Sequence, residues 1–287
     1  LPVGKCRMAT FGRKFHQGLP GRYPALFDDP KRGEEARRVF DDAQRLLSEI
    51  VDRRLLRADG VIGLYPAASD GDDIVLYADE SRERERMRLP QLRNQQADRE
   101  RNLSLADFVA PLGSGVKDYV GAFAVTAGLG LEELAGRYRS EGDDYRAIMA
   151  KLLADRLTEA FAEALHRYAR VTLWGYEREG QWSVGDLLAE KYQGIRPAFG
   201  YPSAPDHSLK ADVFALMDVG TVTGMTMTES YMIVPGEAAC GLMLGHPEAR
   251  NFSVGRIDSE QLASYAARRG TDPEKMRVLI PQHLIDM

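Results

Sequence analysis

Residues 194–207 read Gly-Ile-Arg-Pro-Ala-Phe-Gly-Tyr-Pro-Ser-Ala-Pro-Asp-His, and they constrain the fold more than any other stretch of the chain. Proline fixes φ and removes a backbone donor, so three prolines among these residues exclude a helix and fit no regular strand. The stretch predicts a rigid, extended loop that presents Arg196 beside Gly200 and Tyr201. A guanidinium can grip a carboxylate through two parallel hydrogen bonds. A glycine lets the backbone approach a ligand closely, and a tyrosine offers a flat face with a polar tip. Such a loop suits a small zwitterion that carries a carboxylate and a planar ring. The competing reading is a structural loop whose arginine caps a helix.

Bulk properties narrow the setting. The 287 residues suffice for one large domain or two small ones, and 44% hydrophobic with 28% charged residues is ordinary for a globular protein. A net charge of -5 without a basic stripe argues against a nucleic-acid binder. No apolar run approaches the roughly 20 residues that span a bilayer, so neither nucleic acid nor membrane is an expected partner. Cys6 and Cys240 are too few for a disulfide framework, which points to a reducing, cytoplasmic compartment. Residues 1–15 lack the apolar centre of a signal peptide, and the leucine start points to a fragment of a longer protein.

Hydrophobic spacing organises the rest. Val39, Ala43, Leu46, Leu47 and Ile50 predict a helix over 33–56. Runs at 61–65 and 73–77 around the turn-rich Ser69-Asp70-Gly71-Asp72 predict a hairpin. The densely charged residues 80–101 read as a solvated connector or exposed helix rather than a partner patch. Residues 120–125 form a short buried strand, and 143–170 the longest helix. Its broad apolar face puts that helix in the core, with Asp155, Glu159 and His166 on one polar edge. Residues 211–217 look helical. Strand-like runs at 229–234, 240–244 and 252–257, reversed at Pro235-Gly236 and His246-Pro247, predict an antiparallel region. Asp258 with Gln261 suggests a capping box for a helix ending at Gly270, and Asp272-Pro273 opens a final short one. Helix and strand mix without βαβ alternation. The expected class is therefore α+β, with helices around a twisted, largely antiparallel sheet.

Several chemistries fail on their own requirements. Residues 218–224, Asp-Val-Gly-Thr-Val-Thr-Gly, imitate the acidic glycine-rich turn of a Rossmann methyltransferase, yet too little chain follows to build the parallel strands that fold needs. His16, His166, His207, His246 and His283 are scattered and neither cysteine has a partner at ligand spacing, so no metal site is expected. There is no P-loop and no Gly-x-Ser-x-Gly elbow, and no nucleophile or general-base constellation, so no catalytic residue is assigned. A carboxylate at Glu159 can pair with Arg156 or Arg170, or accept a hydrogen bond from a ligand ammonium.

Arg196-x-x-x-Gly200-Tyr201 resembles the Arg-x-x-x-Gly-Tyr signature of the S-adenosylmethionine-binding activation domain of cobalamin-dependent methionine synthase. Other segments agree with that family, and in its order. They are Gly33-Glu34-Glu35-Ala36-Arg37, Leu105-Ala106-Asp107-Phe108-Val109-Ala110-Pro111 and Asp118-Tyr119-Val120-Gly121-Ala122-Phe123-Ala124-Val125. Asp155-Arg156-Leu157, Glu159-Ala160-Phe161-Ala162-Glu163 and Thr228-Glu229-Ser230 follow. The resemblance covers residues 21–287, leaving 1–20 as a segment that departs from the family.

The resemblance implies that Arg196, Ala198, Gly200, Tyr201, Glu159, Asn251 and Phe252 bind S-adenosylmethionine. Glu159 matches a family glutamate near the methionine end of the ligand. Phe252 keeps the aromatic character of a family pair that Asn251 departs from; a hairpin turn with one core aromatic is the competing reading. The family enters the domain through Asp-Trp-x-Pro-Phe-Phe, whose aspartate meets the ligand amino group, and residues 9–17 lack that acid. By resemblance, the domain presents the activated methyl group to cobalamin on a neighbouring domain. Inactive cob(II)alamin is thereby reductively methylated to methylcobalamin, with electrons from flavodoxin or a flavoprotein reductase. Asp206-His207 lacks the Asp-x-His-x-x-Gly spacing of cobalamin-binding domains, so cobalamin belongs on the neighbour. The parent enzyme would methylate homocysteine from methyl-folate, with zinc on a domain absent here, and the isolated chain would be inactive alone. Two rival readings stay open: a docking module for flavodoxin and the cobalamin domain without tight ligand binding, and a free-standing reactivator of a separate corrinoid protein.

Overall fold

A computed structural model describes residues 24–96 and 101–284. The expectations for residues 1–15 and 9–17, and for Cys6 and His16, lie outside the described residues. Helix α1, Gly33–Arg53, buries Ala36, Ala43, Leu46 and Ile50 along one face. It stops three residues before the expected 56 because Arg54 turns left-handed at φ 52°.

The centre is a five-stranded sheet in which Glu85–Pro90 (β3), Asp73–Tyr77 (β2), Arg57–Asp70 (β1), Asp118–Leu129 (β4) and Ala238–Leu244 (β7) lie side by side in that order, antiparallel at each pairing. Strand β1, Arg57–Asp70, is much longer than the expected 61–65, because it pairs with β4, Asp118–Leu129, over nearly its full length. Its end turns into β2, Asp73–Tyr77, which forms the expected hairpin. The charged connector departs from expectation: Glu85–Pro90 within it forms β3, the edge strand beside β2. The charges misled because an edge strand turns one side to water, where Glu85 and Arg88 pair at 3.1 Å.

Alternation along β4 divides the core into two layers. Val120, Ala122 and Ala124 join the cluster of Leu105, Phe108, Ile195, Phe199 and Val213, whereas Phe123 and Val125 meet Ala162, Leu165 and Met243. The second layer is capped by α3, Asp144–Tyr168, which follows the shorter α2, Leu131–Ser140. Asp143 caps α3 by accepting from Arg146 N, worth about 1 kcal/mol. Burying Met149 and Leu153 contributes roughly 1.5–3 kcal/mol each, so packing against α1 and α2 fixes this helix.

Beyond α3 the chain makes one wider turn, Ala169–Leu173, with Trp174 N donating to Ala169 O at 2.8 Å. A short α4, Val184–Leu188, follows; then α5, Leu209–Met217, and α6, Val219–Thr223, cover the first layer. The turn at 218–224 that imitates a nucleotide-binding loop is therefore a helical cap on an antiparallel sheet.

The C-terminal strands rearrange the expected three-strand region. Among the described residues Ile233–Val234 (β6) pairs only with Thr226–Met227 (β5), while Ala238–Leu244 (β7) crosses to β4. Residues 252–257 form no strand apart from a bridge between Ile257 and Leu284, because Val254 and Ile257 are drawn into a separate core with α7, Ser259–Arg268, and α8, Pro273–Leu279. Asp258 caps α7 as expected, but Gln261 does not close the box. Its side chain instead bridges the Arg93 backbone, accepting from N at 2.7 Å and donating to O at 3.0 Å.

Candidate functional site

The proline-rich stretch is less loop-like than its composition implies. Residues 195–199 run antiparallel along the free edge of β7: Ile195 N donates to Leu244 O at 2.9 Å, and Leu242 N to Pro197 O at 3.0 Å. Phe199 N donates to Cys240 O at 3.0 Å. Proline is tolerated because Pro197 uses its carbonyl for the pairing and needs no donor at an edge. Ile195 and Phe199 sink into the first core layer, and Arg196 and Ala198 alternate with them at intermediate exposure. A tight turn ends the run, with Gly200 N donating to Ala204 O at 2.8 Å and Gly200 at φ 92°. Gly200 is required twice over, since its φ is left-handed and a Cβ would strike the His207 ring. Tyr201, at the turn, is 55% exposed.

The Arg196 guanidinium is held at one corner. Its Nη1 lies 2.7 Å from Glu163 Oε2 and donates to the Tyr192 hydroxyl at 2.7 Å, which donates in turn to Glu163 Oε2 at 3.3 Å. Burial opposes the charge of Arg196, but Glu163 and Tyr192 outweigh it and raise its pKa. Behind Arg196 lies a polar cluster that sequence reasoning missed. The wide turn after α3 drops Arg170 into the interior, where it is 0% exposed. Arg170 Nε donates to Glu177 at 2.8 Å, and its guanidinium lies 3.8 Å from the centre of the Tyr192 ring. The His166 ring meets the same tyrosine edge-on at 5.4 Å. Both Arg170 Nη atoms, both His166 ring nitrogens and Glu163 Oε1 are buried without a hydrogen-bond partner, although Arg170 Nη2 lies 4.0 Å from Glu163 Oε1 as a long ion pair.

His166 thus departs from the polar edge expected of it. Glu163, His166 and Arg170 stand at i, i+3 and i+7, one inward face of the helix and its wide turn. That spacing was the available signal: polar residues lying on a stripe whose other members are apolar. Burial, reinforced by the charges of Arg170 and Arg196, pushes the His166 imidazole well below its ordinary 6.5 and keeps it neutral. Burial also pushes the Tyr176 phenol up to about 12.

The other expected residues fall at varied distances from this corner. Glu159, one turn before Glu163, accepts from Arg156 at 2.9 Å, and Arg170 pairs with Glu177 instead. Asn251 is exposed and donates to Glu190 at 3.4 Å. Glu190 also lies close enough to Arg196 to favour its charge, so Asn251 and Arg196 flank one carboxylate. Phe252 is half-buried, edge-on to Phe108 at 6.3 Å, and lies between two core clusters. On the far side of Gly200, Lys210 Nζ sits 2.7 Å from His207 Nδ1 and donates to Tyr231 O at 3.3 Å. Among the described residues no cluster of His, Cys, Asp and Glu is placed to hold a metal ion, and no helix is long and apolar enough to cross a membrane.

Comparison with known proteins gives a matching family and a matching solved structure. Residues 12–270 match the family model described as vitamin B12 dependent methionine synthase, activation domain. A solved structure, the crystal structure of the MetH reactivation domain bound to AdoHcy, is 40% identical with a TM-score of 0.95, covering 100% of this chain and 89% of that one.

Proposed function

The chain belongs to the activation-domain family of vitamin B12-dependent methionine synthase, and from that premise we propose that it binds S-adenosylmethionine on the Arg196–Tyr201 segment. There it supports reductive methylation of cob(II)alamin held on a neighbouring domain. The carrying observation is the posture of Arg196. Its Nη1 is occupied by Glu163 and Tyr192, while Nε and Nη2 donate no hydrogen bond to another described residue. That leaves one parallel pair of donors for a ligand carboxylate. A related domain in complex with AdoHcy, the demethylated form of the same ligand, supports the reading.

In this reading Arg196 holds the carboxylate and Gly200 lets the backbone approach. Ala198 adds its backbone to the wall, and Tyr201 offers its exposed ring to the adenosine. Glu159 faces the ligand ammonium with Arg156 as its resting partner. Asn251 and Phe252 close the adenosine end. The sulfonium is already an electrophile, so these residues need only hold it in line. Cobalamin carried by the neighbouring domain supplies the cobalt that accepts the methyl group. Flavodoxin or a flavoprotein reductase is the proposed electron source, and a cytoplasmic location follows from that partnership. The parent enzyme is then a 5-methyltetrahydrofolate–homocysteine methyltransferase, its zinc held on another domain, and residues 21–287 make up the domain proper.

Titration of S-adenosylmethionine into the chain by calorimetry tests the binding. A cobalamin-loaded partner domain with a reductant then tests the methylation, as loss of the cob(II)alamin absorbance. Binding without methylation would leave the ligand site standing and overturn the methylation step; no binding at all would overturn the proposal and favour the docking reading. One observation favours docking as the second reading. Asn251 replaces an aromatic ring with an amide already engaged by Glu190.

A further inference from the structure

We infer that Tyr192, clamped between Arg170 and His166, is the positioning residue that aims Arg196 at the ligand carboxylate. The inference rests on the reading of Arg196 given above and deepens it. A side chain as long as arginine loses much rotamer freedom when fixed, so a carboxylate binds it well only if something else has already fixed it. Tyr192 is built for that task. Its hydroxyl accepts from Arg196 Nη1 at 2.7 Å and donates to Glu163 at 3.3 Å, so both capacities of the oxygen are spent on locking one ion pair in one geometry.

The ring itself is fixed from two sides. Arg170 lies over it at 3.8 Å, anchored by Glu177, and His166 abuts its edge at 5.4 Å. Tyr192 is 7% exposed and Arg170 and His166 are both 0% exposed, so this arrangement has no solvent to relax into. Burying an arginine whose two Nη atoms make no hydrogen bond, one of them only 4.0 Å from Glu163 Oε1, is costly. A merely structural tyrosine would not require it, whereas a tyrosine whose hydroxyl must stay on one line would. The polar interior behind the site therefore supports the corner that meets the ligand.

The test uses Tyr192→Phe, which keeps the ring between Arg170 and His166 and removes only the hydroxyl. S-adenosylmethionine and its decarboxylated analogue are titrated in parallel into the chain and the variant. The expected result is a roughly 2- to 12-fold loss of affinity for S-adenosylmethionine, unchanged affinity for the decarboxylated analogue, and a slight fall in melting temperature with the fold retained. Tyr192→Leu, which also frees Arg170, should lose more of the same carboxylate preference. Equal weakening of both ligands, or no weakening of either, would overturn the inference while leaving the proposed function standing. Failure of the unaltered chain to bind S-adenosylmethionine would remove the proposed function, and the inference with it.

Discussion

The Pro197 carbonyl lies where a side chain on Gly241 would begin. Across that contact Leu242 N donates to Pro197 O at 3.0 Å, so β7 and the proline-rich segment meet backbone to backbone. Gly241 is what seats Arg196 and Ala198 on the sheet. Gly241→Ala forces the two chains apart, and overpacking of this kind costs about 1–3 kcal/mol. Lower stability in urea and weaker S-adenosylmethionine binding are both expected. A variant matching the unaltered protein in both would show that the segment is not held by β7.

Arg196 carries two duties. A charge-assisted hydrogen bond contributes roughly 1.5–3 kcal/mol, so Arg196→Ala should weaken S-adenosylmethionine binding about 10- to 150-fold. It also removes the partner of Glu163. Each side chain of that pair is 25% exposed, and solvent screening limits its contribution to about 1 kcal/mol. Adding Glu163→Gln to Arg196→Ala should recover stability without recovering affinity. Recovery of both would make Arg196 a purely structural residue.

Gly200 is constrained by the ring beneath it. Gly200→Ala costs about 1–2 kcal/mol for a left-handed residue with a Cβ, and it drives that carbon into His207. The His207 ring must move, and its 2.7 Å contact with Lys210 goes with it. Ligand affinity and melting temperature should fall together, and the His207 imidazole resonances should shift. Unchanged resonances would mean that the turn adapts elsewhere.

His166 makes stability depend on pH. Burial and the nearby Arg170 hold its folded-state pKa well below 6.5, so below pH 6.5 the unfolded chain takes up a proton that the folded chain refuses. The contribution of His166 is therefore complete above about pH 6.5 and is lost as pH falls toward the folded-state value, by at most about 1.4 kcal/mol per pH unit. Urea unfolding at pH 7, 6 and 5 should show this slope, and His166→Gln should flatten it. An identical slope in the variant would assign the acid sensitivity to other groups.

Local chemistry was legible in the sequence. The periodicity of α1 and α3, the Gly71-Asp72 turn between β1 and β2, and the Asp258 and Asp272 caps all follow from short-range rules. So did the antiparallel α+β class and the family, whose motif residues lie in order along the chain. Tertiary structure decided the rest. Charge hid β3, because an edge strand needs only one apolar side. A proline count hid the pairing of residues 195–199, because an edge accepts a residue with no donor. Only the folded chain brings Glu163 and Arg170 to Arg196 and its sequence neighbour Tyr192, since these two pairs are far apart in sequence and meet where α3, its wide turn and the free edge of β7 converge. Short-range preferences act over a few residues. The partners of a buried charge are set by which distant surfaces the hydrophobic layers press together.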